Sequence, residues 1–86
     1  MTERERELLK ADEFLDRAVR ACHENGEVSI RLVKRKLRVG YARAVRLVDV
    51  MDALEIVEPK ELSAFHRRID MAKYESLLLE AAQAEE

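Results

Sequence analysis

The sequence predicts a mainly α-helical domain with a small β element, and three observations predict it. The chain of 86 residues has room for a single domain, at roughly 100–200 residues per domain. Two glycines, one proline and 5% aromatic residues stand beside 40% charged ones, a composition with few turns and no large sheet. Apolar residues recur at helical spacing over most of the chain. Leu, Ile, Val and Phe make up about 28% of it, above the ~20% below which disorder is the better reading. A domain this small buries only somewhat over ~60% of its unfolded surface, so the core is limited.

Taken in order, residues 1–11 are charged, with Leu8 and Leu9 the only large apolar pair, and read as a frayed helical lead-in. A domain over 12–71 follows. Its first helix covers about 12–24, with Phe14, Leu15, Ala18, Val19 and Cys22 on one side. Asn25-Gly26 stops it, because both residues tolerate φ > 0. Ser29 is a natural N-cap for a helix over 30–37 that buries Ile30, Val33 and Leu37 and exposes Lys34, Arg35 and Lys36. Arg38-Val39-Gly40 makes a tight turn into a third helix, 41–54. At 100° per residue Tyr41, Ala44, Val45, Leu47, Val48 and Met51 share one side. Ala42, Arg46 and Asp49 lie opposite, with Arg43 near the edge. Two helices joined by a short Gly-containing turn form a helix-turn-helix, whose second helix fits a DNA major groove ~12 Å wide.

Residues 55–58 read as a strand ended by Pro59, and a polar loop to about His66 leads to a second strand at 67–70. With 28–30 available as a third, these strands predict a wing. The fold class is therefore mainly α with a small β wing: a winged helix-turn-helix plus an extra C-terminal helix. That helix covers 71–84, within the terminal segment 72–86. Its stripe of Met71, Tyr74, Leu77, Leu78, Ala81 and Ala82 is wider than one small core needs, and Leu79 falls on the polar side. Met71, Tyr74, Leu77, Leu78, Leu79 and Ala81 are accordingly expected to join two copies in a homodimer.

No apolar run approaches ~18 residues and the first residues lack a hydrophobic leader, so a cytoplasmic protein is expected, nucleoid-associated when bound to DNA. The lone Cys22 excludes an intramolecular disulfide, suits a reducing compartment and reads as core packing.

The net charge of −2 hides a division. Residues 28–48 carry seven basic side chains and no acid, while the rest of the chain sums to −9. Such a local field attracts phosphate backbones. Arg38, Ala42, Arg43 and Arg46 are the candidate base-reading positions, since an arginine gives guanine two hydrogen bonds at O6 and N7. Ser29, Arg31, Lys34, Arg35, Lys36, Tyr41, Arg67 and Arg68 are candidate phosphate contacts, which position without reading sequence. His66 reads as a surface residue or a further phosphate contact. The competing reading of the arginines is a solvated helix surface pairing with Asp49 or Glu55, and Tyr41 also reads as a core residue.

Chemistry is not expected. Cys22 and His23 point ~100° apart on a helix, no second Cys or H-x-x-x-H spacing offers a zinc site, and no carboxylates pair by spacing. Neither an enzyme, a metal nor another cofactor is predicted. The rival function is a winged-helix protein–protein module without DNA specificity, and a larger protein partner is compatible with either.

Residues 13–57 resemble the gamma domain of FtsK-type DNA translocases. Asp16-Arg-Ala-Val echoes that family's D-x-A-V. Arg38-Val-Gly-Tyr-Ala-Arg-Ala-Val-Arg46 echoes the end of S-I-S-x-x-Q-R-x-F-R-I-G-Y-N-R-A-A-R, and Met51-Asp-Ala-Leu-Glu-Ile-Val57 echoes M-E-x-x-G-I-V. The resemblance implies a winged helix that binds short G-rich duplex sequences and orients a motor on the chromosome. Two positions depart from it. Ala42 replaces a base-reading Asn, implying a different DNA sequence. Glu55 replaces a Gly, implying a different path into the wing. With no G-x-x-x-x-G-K-[ST] motif, the resemblance implies the DNA-reading module alone, a regulator or accessory factor in transcription, replication or DNA segregation.

Overall fold

A capping box opens the chain. The Thr2 hydroxyl accepts from the Glu5 N–H at 3.1 Å, and the Thr2 N–H donates to the Glu5 carboxylate at 2.9 Å. The computed structural model, which describes residues 1–59 and 67–84, therefore begins with a closed helix, α1 (Glu3–Leu9). This corrects the frayed lead-in. Leu8 and Leu9 pack against the core, α1 rests on the helix 41–53, and the Met1 amino group lies 3.6 Å from Glu80 near the other end of the chain.

Four more helices follow: α2 (Leu15–Asn25), α3 (Ile30–Leu37), α4 (Tyr41–Ala53) and α5 (Met71–Ala84). Gly26 ends α2 at φ 70°, a left-handed conformation open to glycine, and its N–H returns to the carbonyls of Cys22 and His23. Ser29 caps α3 as expected, its hydroxyl accepting from the Leu32 N–H at 3.2 Å. α3 packs against both α2 and α4. Their shared core holds Leu15, Ala18, Val19, Cys22, Leu32, Val33, Leu37, Ala44, Leu47 and Met51. Burial pushes the Cys22 thiol upward in pKa. Leu32 takes the central place in α3 that the sequence reading gave to Ile30, which is half-buried.

The predicted strands shrink to one antiparallel bridge among the described residues, Val57 with Ile69. The Glu58 N–H donates to the Arg68 carbonyl at 2.9 Å and the Asp70 N–H to the Ile56 carbonyl at 2.7 Å. Both ends of the pairing have a local cause. Glu55 sits at φ 58°, turning the chain just before it, and Pro59 has no N–H to continue it. The proposed third strand contributes one bond, from the Val28 N–H to the Arg67 carbonyl at 2.7 Å, because Ser29 already starts α3. The predicted wing loop with His66 lies outside the described residues.

α5 is less available for dimerisation than its stripe suggested. Tyr74 and Leu77 are buried in the chain's own core, with Met71 and Leu78 packed against it. The Tyr74 hydroxyl donates to the Asp16 carboxylate at 2.8 Å, tying α5 to α2. Burial first, then that carboxylate, drives the Tyr74 pKa well upward. Ala81 is half-buried, and of the predicted contacts only Leu79, 60% exposed, stands clear of the molecule. Among the described residues no helix is long and apolar enough to cross a membrane.

Candidate nucleic-acid interface

The turn between α3 and α4 carries an inversion of the usual residue choice. Arg38 occupies the left-handed conformation, φ 55° and ψ 47°, where glycine is the common residue. Gly40 has an extended conformation, φ −71° and ψ 166°, which any residue adopts, and a Cβ there would meet nothing within 4 Å. The glycine thus leaves the backbone at the start of α4 bare, with no side-chain cap on its first N–H groups. Such a helix start attracts anions through unpaired N–H groups and the helix dipole.

Around this turn the basic side chains divide. Arg31, Lys34, Arg35, Lys36, Arg38 and Arg46 are exposed, and among the described residues none of their side chains is in a hydrogen bond or ion pair. The alternative pairing of Arg46 with Asp49 is not formed, and Glu55 lies 3.6 Å from Lys73 instead. Ala42, Arg46 and Asp49 share the exposed side of α4. Tyr41 joins them at 64% exposed, which overturns the core reading. The buried side of α4 is centred on Ala44, Leu47 and Met51, rotated from the predicted stripe, so Tyr41 falls at its edge in the first turn. Lys36 stands apart on the α2 side of α3, bordering a shallow cleft of about 320 Å³ with Asp16, Arg20 and Glu24.

Two of the predicted DNA contacts are bonded to carboxylates within the chain. Arg43 donates through Nε and a terminal nitrogen to both oxygens of Asp12, at 3.0 and 2.8 Å. Its guanidinium also lies 4.1 Å from the centre of the Phe14 ring, a cation–π contact. Asp12 additionally accepts from the Phe14 N–H at 2.8 Å, a local turn that aims its carboxylate. The Arg43 bond holds the Asp12 pKa below the usual carboxylate range, and Asp12 in turn raises that of Arg43. Arg67 donates to Asp52 at 2.7 Å and to the Glu58 carbonyl at 3.0 Å. Arg68 is exposed and Ser29 half-buried. The sequence reading missed Asp12 and Asp52 as partners. Asp12-x-Phe14 is a recognisable local turn, but nothing in the sequence joins it to Arg43.

The family model of the Ftsk gamma domain matches residues 9–70. A DNA translocase FtsK of Caldanaerobacter subterraneus subsp. tengcongensis is 48% identical over 46 residues, 54% of this chain and 6% of that protein. The DNA translocase FtsK of Sporosarcina ureae is 42% identical over 52 residues, 60% of this chain and 7% of that protein. That of Pseudomonas aeruginosa is 42% identical over 48 residues, 56% of this chain and 6% of that protein. The span matched by the family model contains α2, α3, α4 and the bridge between Val57 and Ile69, and the stretches shared with these relatives are a small fraction of the relatives' length. The chain belongs to the Ftsk gamma domain family.

Proposed function

We propose that this domain binds double-stranded DNA sequence-specifically as a winged helix-turn-helix, with α4 in the major groove. The observation that carries the reading is the set of exposed, unpaired basic side chains on α3, the turn and the outer side of α4. A solvated helix surface with 40% charged residues overall would intersperse acids there, and residues 28–48 have none. Arg31, Lys34 and Arg35, with Tyr41 and the bare helix start at Gly40, suit phosphate contacts. Arg38 and Arg46 suit guanine, and Asp49, unpaired on the same side of α4, suits the amino group of cytosine. Ala42 has no hydrogen-bonding group, so its base pair is read through an apolar contact such as a thymine methyl, or left free. The bridge of Val57 with Ile69 supports a small wing base. The relatives' name, DNA translocase, favours a role beside a motor moving along DNA over one in transcription.

The test is selection of bound duplexes from a random pool, followed by a salt titration on the recovered site. Affinity falling with a log–log slope of about −0.9 per phosphate neutralised, together with an enriched sequence, is the expected result. Binding insensitive to salt, or none, would remove the reading and leave the protein-interaction alternative.

A further inference from the structure

We infer that α4 is held at its two ends by arginine–carboxylate clips, and that these clips set how well the domain discriminates between DNA sequences. Asp12, Arg43, Asp52 and Arg67 are then positioning residues, not DNA contacts. The inference rests on the proposed DNA reading and assigns four residues to it that touch no base.

The geometry is specific. The clip at the N-terminal end runs from Arg43 in the first turn of α4 to Asp12, 31 positions earlier, with two parallel hydrogen bonds. A bidentate arginine–carboxylate pair fixes orientation as well as distance. The Asp12 side chain is only 15% exposed, and Phe14 closes one face of the guanidinium. At the C-terminal end the direction reverses: Asp52 of α4 accepts from Arg67, which is also bonded to the Glu58 carbonyl. α4 is thus tied at one end to the segment before α2 and at the other to the segment that carries the bridge residue Ile69. Its buried residues, Ala44, Leu47 and Met51, hold it against the core, and the directional bonds add a constraint on its roll at each end. A base contact through Arg46 needs two hydrogen bonds aligned with one guanine edge, so a small roll of the helix degrades it. Phosphate contacts, longer-ranged and less directional, tolerate such a roll.

This separates two outcomes by sign. Asp12→Asn removes a negative charge and the two charge-assisted bonds of Arg43, leaving it Glu13 at 4.0 Å and the Phe14 ring. Were Arg43 a DNA contact restrained by Asp12, every duplex would be bound more tightly. If the clip positions α4, preference for the selected site over a random duplex of equal length falls by about 5-fold or more, as for a degraded base contact. Affinity for the random duplex then holds or rises. Asp52→Asn should act in the same direction. The exchange Asp12→Arg with Arg43→Glu, which rebuilds the pair in reverse while placing an acid on α4, should restore preference relative to Asp12→Asn.

The measurement is competition binding of the whole chain and these variants to both duplexes, with thermal unfolding of each variant alongside. Loss of preference in both asparagine variants, with rescue by the exchange, supports the clips. Equal tightening on both duplexes, an unchanged preference, or no rescue in a folded exchange variant would overturn them. A wild-type chain that binds no duplex in a salt-dependent way fails the DNA reading itself, a distinguishable result that removes the clips' purpose too.

Discussion

Arg46 and Arg43 lie three positions apart on one helix, with the same charge and the same donors, yet the structure gives them different partners. Arg46 is exposed on the outer side of α4, in no hydrogen bond or ion pair among the described residues, although its charge is still felt at the Asp12 carboxylate. Arg43, one step around the helix, meets Asp12 and the Phe14 ring. Arg67 repeats the contrast with Arg68: one is bonded to Asp52 and the other is exposed. Residue type therefore does not separate an arginine left free by the fold from one held within it. What separates them is whether the fold has brought a carboxylate to the same place, half-buried in Asp12 and exposed in Asp52.

The comparison breaks most visibly through the free basic face. Lys34→Glu with Arg35→Glu should weaken binding to all duplexes, by more than about 60-fold at 0.1 M salt if two phosphate contacts are lost. The salt slope should become shallower by about 1.8. Unchanged affinity and slope in a filter-binding or anisotropy titration would mean that DNA docks elsewhere. Arg46→Ala tests the other half of that face: affinity for the selected site should drop about 5- to 150-fold, with a smaller loss on random DNA. Equal losses on both would reduce α4 to a backbone grip.

A smaller and opposite pair of effects sharpens the contrast at the turn. Arg38 bears a left-handed conformation that costs a non-glycine residue about 1–2 kcal/mol, partly offset by the greater freedom of glycine in the unfolded chain. Arg38→Gly should raise stability by up to about 1 kcal/mol, roughly 4–8 °C in Tm for a domain this size, while weakening DNA binding. A variant stabilised without loss of affinity would show that Arg38 is not a contact.

The clip at Asp12 offers the smallest effect, read through pH. Its folded pKa lies below the value of ~3.9 for a free aspartate. Its contribution to stability is then fully present above about pH 4 and is lost as pH falls through the lower folded pKa. The stability difference between the wild-type chain and Asp12→Asn should be constant from neutral pH down to about pH 5 and close under stronger acid. A difference that already closes between pH 7 and 5 would show that Asp12 is not held in this pair.

Much of the fold was legible because it rests on local rules. The limits of α3, the cap at Ser29, the stop at Gly26 and the span of α5 follow from helical spacing and terminal residues. Two errors also had local answers. Thr2-x-x-Glu5 is a capping box in plain sight, and the buried arc of α4 admits Tyr41 only at its edge. Glu55 is different. It stands where the family pattern has a glycine and adopts a φ of 58°, a conformation that a glycine accommodates more readily.

The sequence by itself determined the helices, the acid-free stretch of 28–48 and the family pattern around Arg38–Arg46, because periodicity, caps and charge density need only neighbours in the chain. Only the tertiary structure decided which basic side chains remain free. Asp12 reaches Arg43 across 31 positions, Asp52 meets Arg67 across 15, and Tyr74 finds Asp16 across 58. Such pairs depend on how whole helices pack, and no spacing along the chain encodes them. The same packing drew Tyr74 and Leu77 into the core, because a small domain with little apolar surface uses the stripe of its last helix to close itself.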